Sequence, residues 1–114
     1  MNVLRTTKLA KKYKDVLDKD IDYSFFITEP ALIDYTHWKV IENAFPYDKI
    51  AKHHLLLIPK RTFTYDFEMT EDERLELYDI KRFLEKKFDS LSENFMPNRT
   101  FPLHYHLHLI KYIK

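Results

Sequence analysis

The most regular pattern in the chain lies near its end. In His104-Tyr105-His106-Leu107-His108-Leu109-Ile110, histidines alternate with apolar residues, which is the period of a half-buried β-strand. On a strand, His104, His106 and His108 share one face while Tyr105, Leu107 and Leu109 share the other. His54-Leu55-Leu56-Leu57-Ile58 is instead a nearly continuous apolar run, predicting a central strand covered on both faces. There His54, Leu56 and Ile58 face one way, His53, Leu55 and Leu57 the other. Pro59 ends the run, and Lys60-Arg61 place two cations at its exit. Between these strands the period changes to that of a helix, running from Glu71 to about Phe88. Thr70 is its N-cap, Glu73 completes a capping box and acids fill the first turn. Leu77, Ile80, Leu84 and Phe88 form the buried stripe, with Phe83 beside it and Lys86-Lys87 at the close.

The earlier half carries weaker signals. Residues 6–19 predict a short helix with Leu9, Tyr13, Val16 and Leu17 on one stripe and a solvated basic face of Lys8, Lys11, Lys12 and Lys14. Phe25-Phe26-Ile27 predicts a short buried strand closed by Glu29-Pro30, its rings part of the core. Trp38-Lys39-Val40-Ile41-Glu42 predicts the next strand, with Trp38 in the core, ending at Asn43 and the Phe45-Pro46-Tyr47-Asp48 turn. His37 has no partner motif around it and reads as a surface or core filler. Residues 89–101 read as a polar loop. The order predicts an α+β fold, an antiparallel sheet with helices packed on one side, in a single domain over 1–114 with a helical arm at 1–20.

Composition narrows the function. The 114 residues are 45% hydrophobic and 16% aromatic, a globular rather than disordered balance. A formal charge of +1 argues against an extended nucleic-acid surface, so any phosphate recognition is local. Glycine is absent, which excludes glycine-rich phosphate loops of the Walker and dinucleotide-fold kinds. Cysteine is absent too, so there are no disulfides or thiolate-bound metals; a cytoplasmic location is the expectation. Charges run through Met1–Asp20, and neither a signal peptide nor a membrane span is expected.

The chemistry concentrates in the alternating histidines, three of the chain's six. Neighbours on one face of a strand stand roughly 6.6–6.8 Å apart, a spacing suited to imidazoles working around one phosphate. Neutral imidazole is a nucleophile and imidazolium binds phosphate, so one cluster can supply both. Two alternatives stay open. The imidazoles can simply decorate a solvated edge strand, or a His-x-His pair with His54 can bind a metal. The outer pair, about 13 Å apart along the strand, cannot close on one ion.

Three segments carry a resemblance. The His-x-His-x-His run followed by apolar residues resembles the signature of the histidine triad (HIT) family of nucleotide hydrolases and transferases. His54-Leu55-Leu56-Leu57-Ile58-Pro59-Lys60 is similar to that family's upstream strand, a histidine leading an apolar run into Ile-Pro-Lys. Asn43-Ala44-Phe45-Pro46-Tyr47 resembles the Asn-x-Phe-Pro stretch of part of the superfamily. The resemblance implies that His106 is the nucleophile, attacking the α-phosphorus of a nucleotide conjugate to give a nucleotidyl-histidine that water resolves. His104 and His108 would orient it and stabilise phosphoryl charge, and His54, rather than the neighbouring His53, would complete the pocket. Asn43 would be a sugar contact. The third histidine places the chain with the hydrolases rather than with the phosphorylase-like relatives, which often carry Gln there. No metal or other cofactor is implied. The partner is a small nucleotide such as a phosphoramidate or dinucleoside polyphosphate, and the assembly a homodimer whose sheets join.

The chain departs from the family just before the triad. Many family hydrolases carry a Gly-Gln-Ser/Thr-type segment there, where this chain has Arg99-Thr100-Phe101-Pro102-Leu103. Thr100 holds the Gln place and can donate one hydrogen bond to substrate, whereas Phe101 replaces a hydroxyl with an apolar ring. A nucleotide-binding module with little turnover is therefore a second reading.

Overall fold

A computed structural model describes Thr6, Lys8, residues 25–99 and residues 101–114; of Phe25 it describes the backbone alone. The helix expected over 6–19 falls, but for Thr6 and Lys8, outside the described residues. The elements follow in the order α1 (Phe25–Thr28), β1 (Ile33–Asp34), β2 (Trp38–Glu42), β3 (Ala51–Pro59), α2 (Glu71–Leu84), β4 (Ser90–Ser92) and β5 (Leu107–Tyr112). The strands form one sheet in the order β1-β2-β3-β5-β4, every neighbouring pair antiparallel. The α+β fold with one long helix is thus as the sequence predicts.

The sheet has two different faces. On one, Trp38, Val40, Leu57, Leu107 and Leu109 pack with Leu77, Ile80 and Leu84 of α2. The Trp38 indole N–H donates to the Glu73 carbonyl at 2.9 Å, fastening helix to sheet. The capping box forms as expected: Thr70 accepts from the Glu73 N–H, and the Glu73 carboxylate accepts from the Thr70 N–H. On the other face Phe26, Ile41, Leu56 and Ile58 form a smaller apolar cluster with Phe101 against it. The triad lies on this face, because Tyr105, Leu107 and Leu109 point into the helix side. A register shift between Ala51 and His53 sets the alternation of β3. Beyond it His53 is exposed and His54 buried, as expected where an extra residue re-aims the side chains that follow.

Several elements differ from the sequence expectation. Residues 25–28 form one turn of helix, not a strand. A run of three apolar residues has no periodicity to separate the two states, and a single turn buries Phe26 while leaving Ile27 63% exposed. The triad strand begins at Leu107 instead of His104 and continues to Tyr112. The ladder with β3 stops at Leu57↔Leu107, close to Pro59, which has no N–H to donate. The Tyr105 N–H turns instead to the Phe63 carbonyl at 2.7 Å. Helix α2 ends at Leu84 rather than near Phe88, with turns over 85–87. The Lys87 and Phe88 N–H groups both return to the Leu84 carbonyl, swinging the chain toward β4. Lys86-Lys87 therefore lie past the helix, and Phe83 is 53% exposed. The short strands β1 and β4 have no counterpart in the sequence reading; two or three residues are too few for a period to show.

Candidate functional site

Four buried histidines meet on the sheet face away from α2: His54, His104, His106 and His108. Pairing of Leu56 with His108 and of His54 with Ile110 puts His54 and His108 diagonally across β3 and β5. Their rings are joined, His54 Nε2 to His108 Nδ1, at 2.8 Å. The His106 ring stands edge-on to that of His108, centroids 5.3 Å apart.

The tautomers follow from the partners. The Tyr47 N–H donates to His54 Nδ1 at 2.9 Å, so the proton of neutral His54 sits on Nε2 and is donated to His108 Nδ1. Neutral His108 then carries its proton on Nε2, which faces the Asn94 side-chain amide at 3.3 Å. That amide must turn its oxygen to this proton, and the Tyr47 hydroxyl, also 3.3 Å away, can donate to the same oxygen. The Tyr47 ring stacks on His108 at 5.6 Å and 15°. Tyr47 and Asn94 were invisible as site residues in the sequence. Tyr47 stood in the Asn-x-Phe-Pro turn, and Asn94 in a loop with no motif.

His106 is oriented differently. Its Nδ1 donates to the carbonyl of His104 at 2.9 Å, which leaves the lone pair on Nε2. Among the described residues Nε2 has no hydrogen-bond partner, and only the Tyr35 hydroxyl there is both fully enclosed and unpaired. The residue as a whole is 4% exposed. Burial pushes the His106 pKa down to about 4, so the ring is neutral at pH 7. His104 is also pushed down by burial, with the positive charge of Lys39 adding to the effect against the bond to Pro59. Its Nε2–H donates to the Pro59 carbonyl at 3.0 Å and its Nδ1 faces the Thr62 hydroxyl at 3.4 Å. Both of its nitrogens thus serve the fold.

The remaining expected residues sit as follows. Asn43 Oδ1 accepts the Phe45 N–H at 2.9 Å, and Asn43 Nδ2 lies 3.3 Å from the His54 ring. Thr100 lies outside the described residues. Phe101 packs its ring 4.8 Å from Phe26 and 6.5 Å from His106. Phe26, at 5.1 Å, covers His106 from the α1 side. Arg99 fixes the loop between these groups, donating to the Asn94, Thr64 and Pro102 carbonyls. His53 is exposed, and His37 serves the fold through an N–H bond to Glu76. Among the described residues, no group of three or more His, Asp or Glu side chains is placed to share a metal ion.

The fold is similar to that of solved structures. One described as a HIT-like protein matches with a TM-score of 0.53 at 17% identity, over 88% of this chain and 96% of its own. A HIT family hydrolase from Clostridium thermocellum matches with a TM-score of 0.55 at 19% identity, over 90% of each chain. This chain has the histidine triad fold. No family profile matches the chain, and no curated protein does either. At such identities the triad fold is shared while the chemistry has to come from the site itself. In the triad fold seen here the three histidines divide into two sets. Both ring nitrogens of His104 are engaged by the fold, whereas among the described residues His106 Nε2 has no hydrogen-bond partner.

Proposed function

We propose that this chain is a nucleotide-binding hydrolase or nucleotidyl transferase acting through a covalent nucleotidyl-histidine at His106. One observation carries the reading: the bond from His106 Nδ1–H to the His104 carbonyl, which puts the lone pair of the neutral ring on Nε2, a nitrogen without a hydrogen-bond partner among the described residues. Such a group is a competent nucleophile at neutral pH without a separate base.

In the first step the Nε2 lone pair attacks the α-phosphorus, and the bond to the leaving group breaks on the opposite side. The ring becomes positively charged on phosphorylation, and the His104 carbonyl on Nδ1–H stabilises that charge. His108 Nε2–H is the donor to a non-bridging phosphoryl oxygen, exchanging its Asn94 contact for it. His54, set by Tyr47, keeps the His108 proton on the outward nitrogen. In the second step water attacks phosphorus, the P–N bond breaks and its electrons return to Nε2; the water's proton leaves with solvent. His104 acts here as a positioning residue. Asn43 holds the turn through the Phe45 N–H and lies against the His54 ring, and any sugar contact from it is additional. A homodimer remains part of the proposal.

A second reading, binding with little turnover, is favoured by one feature, the Phe101 ring lodged beside His106. The two are separated by His106→Ala, assayed against a panel of adenylyl and guanylyl phosphoramidates and dinucleoside polyphosphates. The enzyme reading expects turnover lost and nucleotide affinity kept, because the nucleophile acts in the transition state while affinity is spread over the pocket. Equal turnover in both proteins overturns the nucleophile assignment. Tight binding with no turnover in either favours the binding module.

A further inference from the structure

A second feature on the histidine face bears on which nucleotide is bound. Asp34 pairs with Lys39 across β1 and β2, and Lys39 pairs with Ile58 across β2 and β3. Ile58 packs with Phe26 on the histidine face, and the Phe26 ring lies 5.1 Å from that of His106. Asp34, Lys39 and Ile58 therefore form a row across the sheet that Phe26 connects to His106. At the Lys39 end the row opens into a cavity of about 570 Å³ lined by Phe26, Ile27, Ala31, Asp34, Lys39 and Lys60. That volume is ample for a nucleobase and lies within the usual range of ligand sites.

The chemistry of this cavity is one-sided. Lys39 is 9% exposed, and its ammonium donates to the Ile27 and Glu29 carbonyls at 3.1 and 2.9 Å. Those are the only hydrogen bonds of the group among the described residues, and no carboxylate there forms an ion pair with it. An ammonium has three protons and no acceptor, so one proton remains for a ligand. Lys60 is held by Asp34 at 2.7 Å and by the Tyr35 carbonyl. Asp34 meets it through Oδ1, leaving Oδ2 to accept at the cavity mouth. Phe26 supplies an aromatic wall that also touches His106. The cavity thus offers cationic donors at its floor, one acceptor at its rim and an apolar side.

We infer that this cavity takes the base of the nucleotide and that Lys39 selects a 6-oxopurine over adenine. This rests on the nucleotide reading above. Guanine and hypoxanthine present the acceptor O6 to the one free Lys39 proton and N1–H to Asp34, and guanine adds its 2-amino group there. Adenine presents a 6-amino donor where Lys39 can only donate. Discrimination of this kind is worth roughly ten- to a hundredfold in affinity.

The test is titration calorimetry of the full chain with GMP, IMP and AMP. GMP and IMP are expected to bind at least about tenfold more tightly than AMP. The ratio should fall to near one in Lys39→Met, which keeps the stem and removes the donor. Because Lys39→Met also strips two carbonyls of their partner, circular dichroism accompanies it. Asp34→Asn is the second variant, expected to weaken GMP more than IMP. AMP binding as tightly as GMP in the unaltered protein overturns base selection alone, as does a ratio unchanged in folded Lys39→Met. Failure of all three nucleotides to bind overturns the nucleotide reading itself.

Discussion

His54 and His108 are hydrogen-bonded at 2.8 Å across two strands, although 54 residues separate them. The bond passes the constraint on one ring to the other. The Tyr47 N–H fixes the tautomer of His54, His54 fixes that of His108, and His108 Nε2 is left as a donor toward Asn94. Removing His54 should therefore affect a donor it does not itself supply. We expect His54→Ala to lower kcat at little change in KM, and by less than His106→Ala. Steady-state kinetics decide it; an unchanged kcat would remove His54 from the relay.

Phe26 covers His106, the proposed nucleophile. Its ring is buried, 5.1 Å from His106, and burial is the largest cause of the low His106 pKa. Phe26→Ala should raise that pKa from about 4 toward 6.5, read from the ring resonances in an NMR titration. The cost in stability should be about 3–5 kcal/mol, as for other buried phenylalanines. A pKa that stays near 4 would mean that other groups exclude water.

The same burial predicts acid sensitivity. The folded-state pKa of His106 lies below that of the unfolded chain, so the unfolded state binds the proton first. Its stabilisation is complete above about pH 6.5 and is lost as pH falls through about 4. His104 shifts in the same direction. For His106 alone the swing is on the order of 3 kcal/mol. Urea midpoints between pH 7 and 4 should fall, and His106→Asn should flatten that slope.

Glu73 joins three parts of the fold. Its carboxylate caps α2 through Thr70 and pairs with Arg61 at 2.7 Å, while its carbonyl receives Trp38. Burial raises its pKa, but the bonds from Arg61 and Thr70 outweigh burial and leave it lowered. Thr70→Ala should cost about 1 kcal/mol. Glu73→Ala should cost more, since it also leaves Arg61 without its partner. Thermal melts of the two variants give the order directly.

Phe101 stands where a hydroxyl would serve a leaving group. If that missing donor limits the reaction, Phe101→Ser should raise kcat, by up to about a hundredfold. Single-turnover measurements locate the effect: faster formation of the His106 adduct supports it, and an unchanged rate assigns Phe101 to packing alone.

The sequence by itself determined the elements whose pattern is long or whose chemistry is local. Fourteen residues of α2 with a capping box, the apolar run of β3, and the alternation that puts three histidines on one face all follow from periods of 3.6 and 2. What these could not reveal is who meets whom. The resemblance already favours His54 over His53, but that His54 meets His108 is decided by the pairing of β3 with β5, Leu56 opposite His108. The start of β5 depends on Pro59, a residue on another strand. Strands as short as β1 and β4 exist only because a neighbour's edge is there to pair with. Asn94 and Lys39 carry no motif and Tyr47 shows only as part of a turn, and they come near the histidines because antiparallel pairing carries distant segments to one face. The chemistry of an imidazole is written in its residue type. Which nitrogen holds the proton is decided by the group folded against it.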